Sequence, residues 1–238
     1  MRKMQVSVCA IIFLIGTVTL LFSCKKNHDE YKPEPLPVIN PTVNPIPYSV
    51  VAYLITPTDK TINPDYYRAA KKALVTLQGW YKAQMGNNKT FILNPVVLDT
   101  LTALHNSTWF TDHNGDSISG TNRFYNNTKY ELKQLLGSKF DTSLYAYYAF
   151  VDADFYNTTV PRGLGVEGSN SLSGLASSHP EAWIGDAGHA MGHAFGLVDG
   201  VPQNEDGIMS KGWSKYPNCV LKPAEKDSLN ASPFLTTF

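Results

Sequence analysis

Apolar and polar positions fall into blocks along this chain, and the blocks follow two periods. Val50 to Ile55 is an unbroken apolar run closed by Thr56-Pro57, which predicts a buried strand. Asn63-Pro64 then opens a predicted helix, with Asn as cap and Pro in the first turn. Tyr67, Ala70, Leu74, Leu77 and Tyr81 recur at steps of three and four and give that helix one apolar face. Gly86-Asn87-Asn88 predicts its end. Phe91 to Leu98 reads as a second strand, placed at an edge or a bulge by Pro95. A second helix is predicted over Arg123 to Leu136, with Phe124, Thr128, Leu132 and Leu135 turned inward. Ser143 to Val151, dense in Tyr, Phe and Val, predicts a third strand. This order predicts an α/β (α+β) fold, a mixed twisted sheet with helices packed on it, over residues 48 to 238.

The N-terminus has a different pattern. Arg2 and Lys3 precede an uncharged apolar run from Val6 to Phe22, too short for a comfortable membrane span. The run ends in Leu21-Phe22-Ser23-Cys24, which resembles a lipobox, so residues 1–23 are expected to be a lipoprotein signal peptide and Cys24 the lipid-bearing residue. The alternative is an uncleaved transmembrane anchor, and either reading puts the remainder outside the cytoplasm. Lys25, where Asp would favour retention at the inner membrane, points to a lipid anchor in the outer membrane of the cell envelope. Lys25 to Glu30 loosely resembles the charged export tags of Bacteroidetes surface lipoproteins. Residues 24–47 continue as a tether with six prolines between Pro33 and Pro47, a composition that favours extended polyproline conformations.

Composition narrows the partners. Lys+Arg and Asp+Glu both number 20, and this charge balance argues against a nucleic-acid partner. Of the three cysteines, Cys9 and Cys24 lie in the leader region, which leaves Cys219 and excludes an intramolecular disulfide framework.

The chemistry concentrates in His189-Ala190-Met191-Gly192-His193-Ala194-Phe195-Gly196-Leu197-Val198-Asp199. Ser178 and Glu181 have capping-box spacing and predict a helix from about His179 to Phe195. On it, two histidines four residues apart share one face and can meet a single zinc ion. Gly196 can end the helix in a left-handed conformation, and the returning chain can bring an Asp199 oxygen to the same metal. Three protein ligands leave a fourth position for water. Gly207-Ile208-Met209-Ser210 follows.

This pattern resembles the metzincin zinc-peptidase signature with its methionine turn, in the snapalysin-type variant whose third ligand is aspartate. The resemblance implies one Zn2+ ion held by His189, His193 and Asp199, with Met209 packed beneath the imidazoles. It implies a peptide or protein ligand bound along an edge strand, which residues 160–176 would supply, and a short closing helix between Lys215 and Phe234.

One position departs from that signature. The general base belongs directly after the first histidine, and Ala190 stands there. Glu181 lies two turns earlier, Glu167 and Glu205 fall in flanking segments read as loops, and Lys211 stands where some metzincins carry a tyrosine after the turn methionine. Gly185 and Gly188 each cost helix stability of about 1 kcal/mol against alanine and argue against a rigid zinc helix. The expected function is a zinc-binding pseudopeptidase, catalytically impaired, that binds peptide or protein at the cell envelope. The alternatives are an active metalloendopeptidase with another base, and a metal-free structural or adhesive lipoprotein.

The remaining polar and aromatic residues read plainly. His105 and His113 are expected to be solvated loop residues, His179 to be structural or exposed, and Cys219 to be a buried or idle thiol. Tyr145, Tyr147, Tyr148 and Phe150 read as strand core. Asp112 to Gly120 reads as a turn, because Ser117 and Arg123 stand where a calcium loop needs Gly and Glu.

Overall fold

The structure is a computed structural model that describes residues 45–112, 122–154, 163–200 and 205–237. The lipobox, Cys24, most of the tether, His113 and most of the Asp112–Gly120 turn lie outside the described residues.

Strand β1 (Ser49–Thr56) is buried along its whole length. It runs parallel to β3 (Asp99–Thr102) on one side and to β4 (Tyr145–Val151) on the other, and β5 (Leu164–Glu167) continues the parallel sheet beyond β4. The antiparallel component is a separate ribbon, in which β2 (Lys89–Phe91) pairs with β6 (Leu235–Thr237). Burial on both faces explains why β1 is continuously apolar rather than alternating. Val50, Ala52 and Leu54 face a core shared with α1 (Pro64–Gln84), α3 (Ser169–Leu175) and α4 (Glu181–Ala194). Val51, Tyr53 and Ile55 face the core under α2 (Arg123–Leu136). Helix α5 (Pro223–Asn230) leads into β6. Among the described residues no helix is long and apolar enough to cross a membrane.

Helix α1 starts where Asn63 accepts a hydrogen bond from Asp65 N at 2.9 Å. It ends before two residues with positive φ, Gly86 at 74° and Asn87 at 64°. Its buried face includes the five residues expected.

Three local expectations are corrected. Phe91 to Leu98 is not one strand: β2 ends at Phe91 and β3 begins at Asp99. Pro95 has no N–H for a ladder, and the Asn94 side chain takes that role, donating to Val50 O and Ser49 Oγ at 2.9 Å each and accepting from Ile46 N. The Ser178–Glu181 capping box does not form: α4 begins at Glu181, Pro180 holds the cap position, and no side chain caps it. Ser177 instead turns back, its hydroxyl bonded to Gly174 O at 2.7 Å at the end of α3. The closing helix is confined to Pro223–Asn230 and is followed by a strand.

Candidate metal centre

Helix α4 lies along β5, and Gly163 N, just before the strand, donates to Ala194 O at the helix end at 3.2 Å. A Cβ on Gly165 would come within 3.0 Å of Ala190 O and 2.7 Å of the Tyr148 ring, so the strand approaches the helix as only glycine permits.

The glycines of α4 serve the same purpose on another face. A Cβ on Gly185 would fall 1.9 Å from Trp213 O, one on Gly188 2.8 Å from Ile208 Cδ1, and one on Gly192 2.3 Å from Met209 Sδ. The segment from Ile208 to Trp213 is therefore seated directly on the helix backbone. This corrects the reading of Gly185 and Gly188 as signs of a loosened helix: their intrinsic cost is offset by close packing that a side chain would prevent.

Gly196, with φ of 96°, reverses the chain after α4. The turn returns Leu197 O to the His193 ring, whose Nδ1–H donates to it at 3.1 Å. His189 Nδ1–H donates to Ile208 O at 2.9 Å. Carbonyls only accept, so both rings carry a proton on Nδ1, and as neutral imidazoles they would each present a bare Nε2. The two Nε2 atoms stand 3.0 Å apart, and Asp199 Oδ1 lies 3.4 Å from the first and 3.2 Å from the second. Two lone pairs and a carboxylate converging in this way call for a cation. Zinc bonded tetrahedrally at about 2.0–2.1 Å holds its ligand atoms about 3.3 Å apart, which this triangle matches.

The surroundings fit a metal centre as well. His193 is buried, and burial holds the His189 imidazole below its ordinary range, an effect partly offset by the bond to Ile208 O. Neutral imidazole is the form that ligates. The turn at Ile208–Met209 restrains two corners of the triangle: Ile208 O holds His189, and Met209 O accepts from Gly200 N, next to Asp199. Met209 is fully buried against Gly192, between the histidines in sequence. Asp199 is largely exposed, which keeps that side open.

No family model matches the sequence, and no curated protein matches it. Solved structures do. Catalytically inactive OgpA from Akkermansia muciniphila, in complex with an O-glycopeptide (glycodrosocin) substrate, is similar at a TM-score of 0.55 and 14% identity, over 79% of this chain and 61% of that one. Wild-type OgpA in two crystal forms gives TM-scores of 0.54 and 0.57 at 14% identity, over 78% of this chain and 60% and 61% of the other. The fold is metzincin-like. The chain spans about three fifths of OgpA's length.

Within this metzincin-like frame, Ala190 faces inward at 5% exposure, and no carboxylate shares its position. A carboxyl pair lies one turn earlier. Glu167 is not in a loop, as the sequence reading had it, but is the buried last residue of β5. Burial first, and then the neighbouring Asp186, hold its carboxyl well above the carboxylate range, and burial raises Asp186 too. Ser171 donates to Glu167, and Tyr148 OH lies 3.2 Å from Glu167 Oε1 and 3.0 Å from Ala187 O. The tyrosine has one proton to give. A protonated Glu167 donating to Tyr148, which donates in turn to Ala187 O, satisfies all three groups. Asp186 escaped the sequence reading, although its place three residues before His189 puts it on the same helix face.

Elsewhere, His105 is not merely solvated. Its Nδ1 pairs with the fully buried Glu131 at 2.7 Å, and its ring stacks on Trp109 with centroids 3.9 Å apart. Glu205 is exposed, 3.9 Å from Lys215. His179 is exposed. Cys219 is buried, which pushes its thiol up to about 11 and leaves it unreactive. Tyr147, Tyr148 and Phe150 are core residues, as expected.

Proposed function

We propose that this chain is a zinc-binding, peptidase-like lipoprotein that binds O-glycosylated peptide at the cell envelope, with catalysis impaired at position 190. The observation that carries the reading is the triangle of His189 Nε2, His193 Nε2 and Asp199 Oδ1, with sides of 3.0 to 3.4 Å. In this reading the three residues hold one zinc ion, and Met209 supports them from below. Bound zinc supplies a Lewis acid that polarises a carbonyl and acidifies water. The chain's own residues then do the rest. Ile208 O and Leu197 O fix both imidazoles in the ligating tautomer. Ala190 offers no oxygen to take up a proton, so the proton path to a leaving amine is missing, a deficit worth about 10²–10⁴ in rate.

The ligand class is supported by OgpA, whose inactive form was captured with an O-glycopeptide substrate. The envelope location rests on residues 1–23 as signal peptide, on Cys24 as lipid-bearing residue and on residues 24–47 as a tether to the outer membrane.

The test is metal analysis of the full chain after zinc reconstitution, combined with binding and digestion of an O-glycopeptide and of the same peptide without sugar. About one zinc per chain is expected, lost in His193→Ala. The glycosylated form should bind more tightly and be cut slowly or not at all. Absence of zinc overturns the metal assignment. Rapid, chelator-sensitive cleavage overturns the impairment.

A further inference from the structure

The sheet has a second crevice, at the end away from the histidines. Strand order is β3-β1-β4-β5 with all four parallel. From the carboxyl end of β1 the chain goes through α1 toward β3, and from that of β4 it goes toward β5, on the other side. Neighbouring strands whose connections part in this way open a gap beyond their carboxyl ends, where open α/β sheets commonly bind small molecules. The metal ligands lie at the other end, because Gly163, at the start of β5, is tied to Ala194. They also lie on the outer strand rather than between β1 and β4.

The gap here is an open surface depression of about 760 Å³ formed by the loop from Thr58 to Pro64, by Tyr66 and by Asp152. That is ample for a ligand of sugar size. Its walls are fixed before any ligand arrives. Lys60 N bonds back to Pro57 O at 3.0 Å, Thr58 N bonds to His105 O at 2.9 Å, and Asp59 accepts from both Ser107 N and Ser107 Oγ. At the base, Lys60 Nζ meets Asp152 Oδ1 at 2.9 Å, with the Asp152 side chain only 12% exposed.

The chemistry of the lining selects the ligand. Lys60 is already neutralised by Asp152, and Asp59 adds a second carboxylate, so a phosphate or carboxylate ligand meets net negative charge. The loop Pro57 to Asn63 has no glycine, so it lacks the close backbone approach a pyrophosphate requires. What the depression offers instead is paired acceptors and donors: Asp152 with Lys60, and the hydroxyls and amide of Thr58, Thr61 and Asn63. Beside them stands the ring of half-buried Tyr66, which packs on the core. Neighbouring hydroxyl groups both donate and accept, and a sugar ring has an apolar face that rests on an aromatic side chain. We propose that this crevice is a saccharide-binding site, separate from the metal centre and independent of whether zinc binds there.

Saturation-transfer NMR on the full chain in detergent micelles tests it. N-acetylgalactosamine and galactose are the saccharide probes, each alone, and inorganic phosphate is the anion probe. Ring protons of at least one sugar should receive saturation, and phosphate should not broaden. Asp152→Asn and Tyr66→Ala should weaken saccharide binding about tenfold or more, the loss expected for a charged hydrogen bond or a stacking face. Thr61→Val, on the exposed rim, provides a milder variant should either of those fail to fold. His193→Ala should leave saccharide binding unchanged while abolishing zinc loading, which separates this site from the metal reading. No transfer from either sugar overturns the proposal, as does phosphate binding in their place. So does saccharide binding that survives Asp152→Asn, Tyr66→Ala and Thr61→Val, whatever the result for His193→Ala.

Discussion

The hydroxyl of Tyr81, in the last turn of α1, donates to the carbonyl oxygen of Gly188 at 2.8 Å, and both residues are buried. Tyr148, from β4, reaches the preceding carbonyl, that of Ala187, at 3.0 Å. Two elements thus grip consecutive carbonyls of α4 immediately before His189 and fix the rotation of the helix about its own axis. In Tyr81→Phe the Gly188 carbonyl keeps its place in the helix ladder, so the cost should be about 1 kcal/mol. That corresponds to a fall in melting temperature of roughly 2–4 °C for a domain of this size. Zinc affinity, measured by competition with a chromophoric chelator, should fall about tenfold, as for other residues that orient metal ligands. Unchanged affinity would show that the grip is purely structural.

The three glycines of α4 should rank by what a methyl group meets. Gly185→Ala runs into the Trp213 backbone carbonyl and should be the most damaging. Gly192→Ala meets the Met209 sulfur and should loosen the turn under the histidines. Gly188→Ala meets only the ends of Ile208 and Leu77 side chains and should be the mildest. Overpacking costs about 1–3 kcal/mol, against which alanine recovers about 1 kcal/mol of helix propensity. Thermal unfolding of the three variants at equal zinc loading gives the order directly.

Ala190→Glu should confer chelator-sensitive cleavage of O-glycopeptide. A gain of about 10²-fold over the native chain is the scale that general-base work supplies. Ala190 is only 5% exposed and the nearby glycine faces are already filled, so the new carboxylate must displace neighbours and the gain should stay at the low end. Quenched-fluorescence assays of both proteins at matched zinc content decide it, and equal rates would show that position 190 is not what limits turnover.

The carboxyl pair gives a pH dependence whose sign can be worked out. Glu167 has a raised pKa in the folded chain, so the folded state holds its proton more tightly than the unfolded state does. Its contribution is fully present below the ordinary carboxylate range and is lost as pH rises through the raised value. His189, lowered by burial, works in the opposite sense, and Asp186 titrates too, so only a difference between two curves isolates Glu167. Melting temperature of the zinc-free chain should fall more steeply with rising pH in wild type than in Glu167→Gln, which keeps the hydrogen bonds without an ionisable proton. Parallel curves would mean that folding leaves the Glu167 pKa where it is in the unfolded chain.

Much of this architecture could be read from residue order because local chemistry decides it. Asn63 capping α1, the span of α2 from Arg123 to Leu136 and the apolar density of β4 are examples. His189, His193 and Asp199 come together because they lie within one helix and its turn. What could not be read depends on partners distant in the chain. The gap between β2 and β3 turns on Asn94 finding Val50, the value of Gly185 on the approach of Trp213, and the protonation of Glu167 on its burial beside Asp186. Ser178 had the right spacing for a cap, but Pro180 and the pull of Ser177 toward α3 displaced it.

The turn at Ile208–Met209 has a thermodynamic corollary. Its side chains are buried in the core with Leu77 and Leu197, so its two restraining carbonyls are set by hydrophobic packing rather than by an ion. A zinc ion bridging His189 and Asp199 closes a loop of only about ten residues, and so removes little chain entropy beyond what folding has already spent. Unlike a zinc finger, this domain should fold first and load afterwards. Its metal occupancy would then follow the free zinc concentration around it, while the scaffold stays the same.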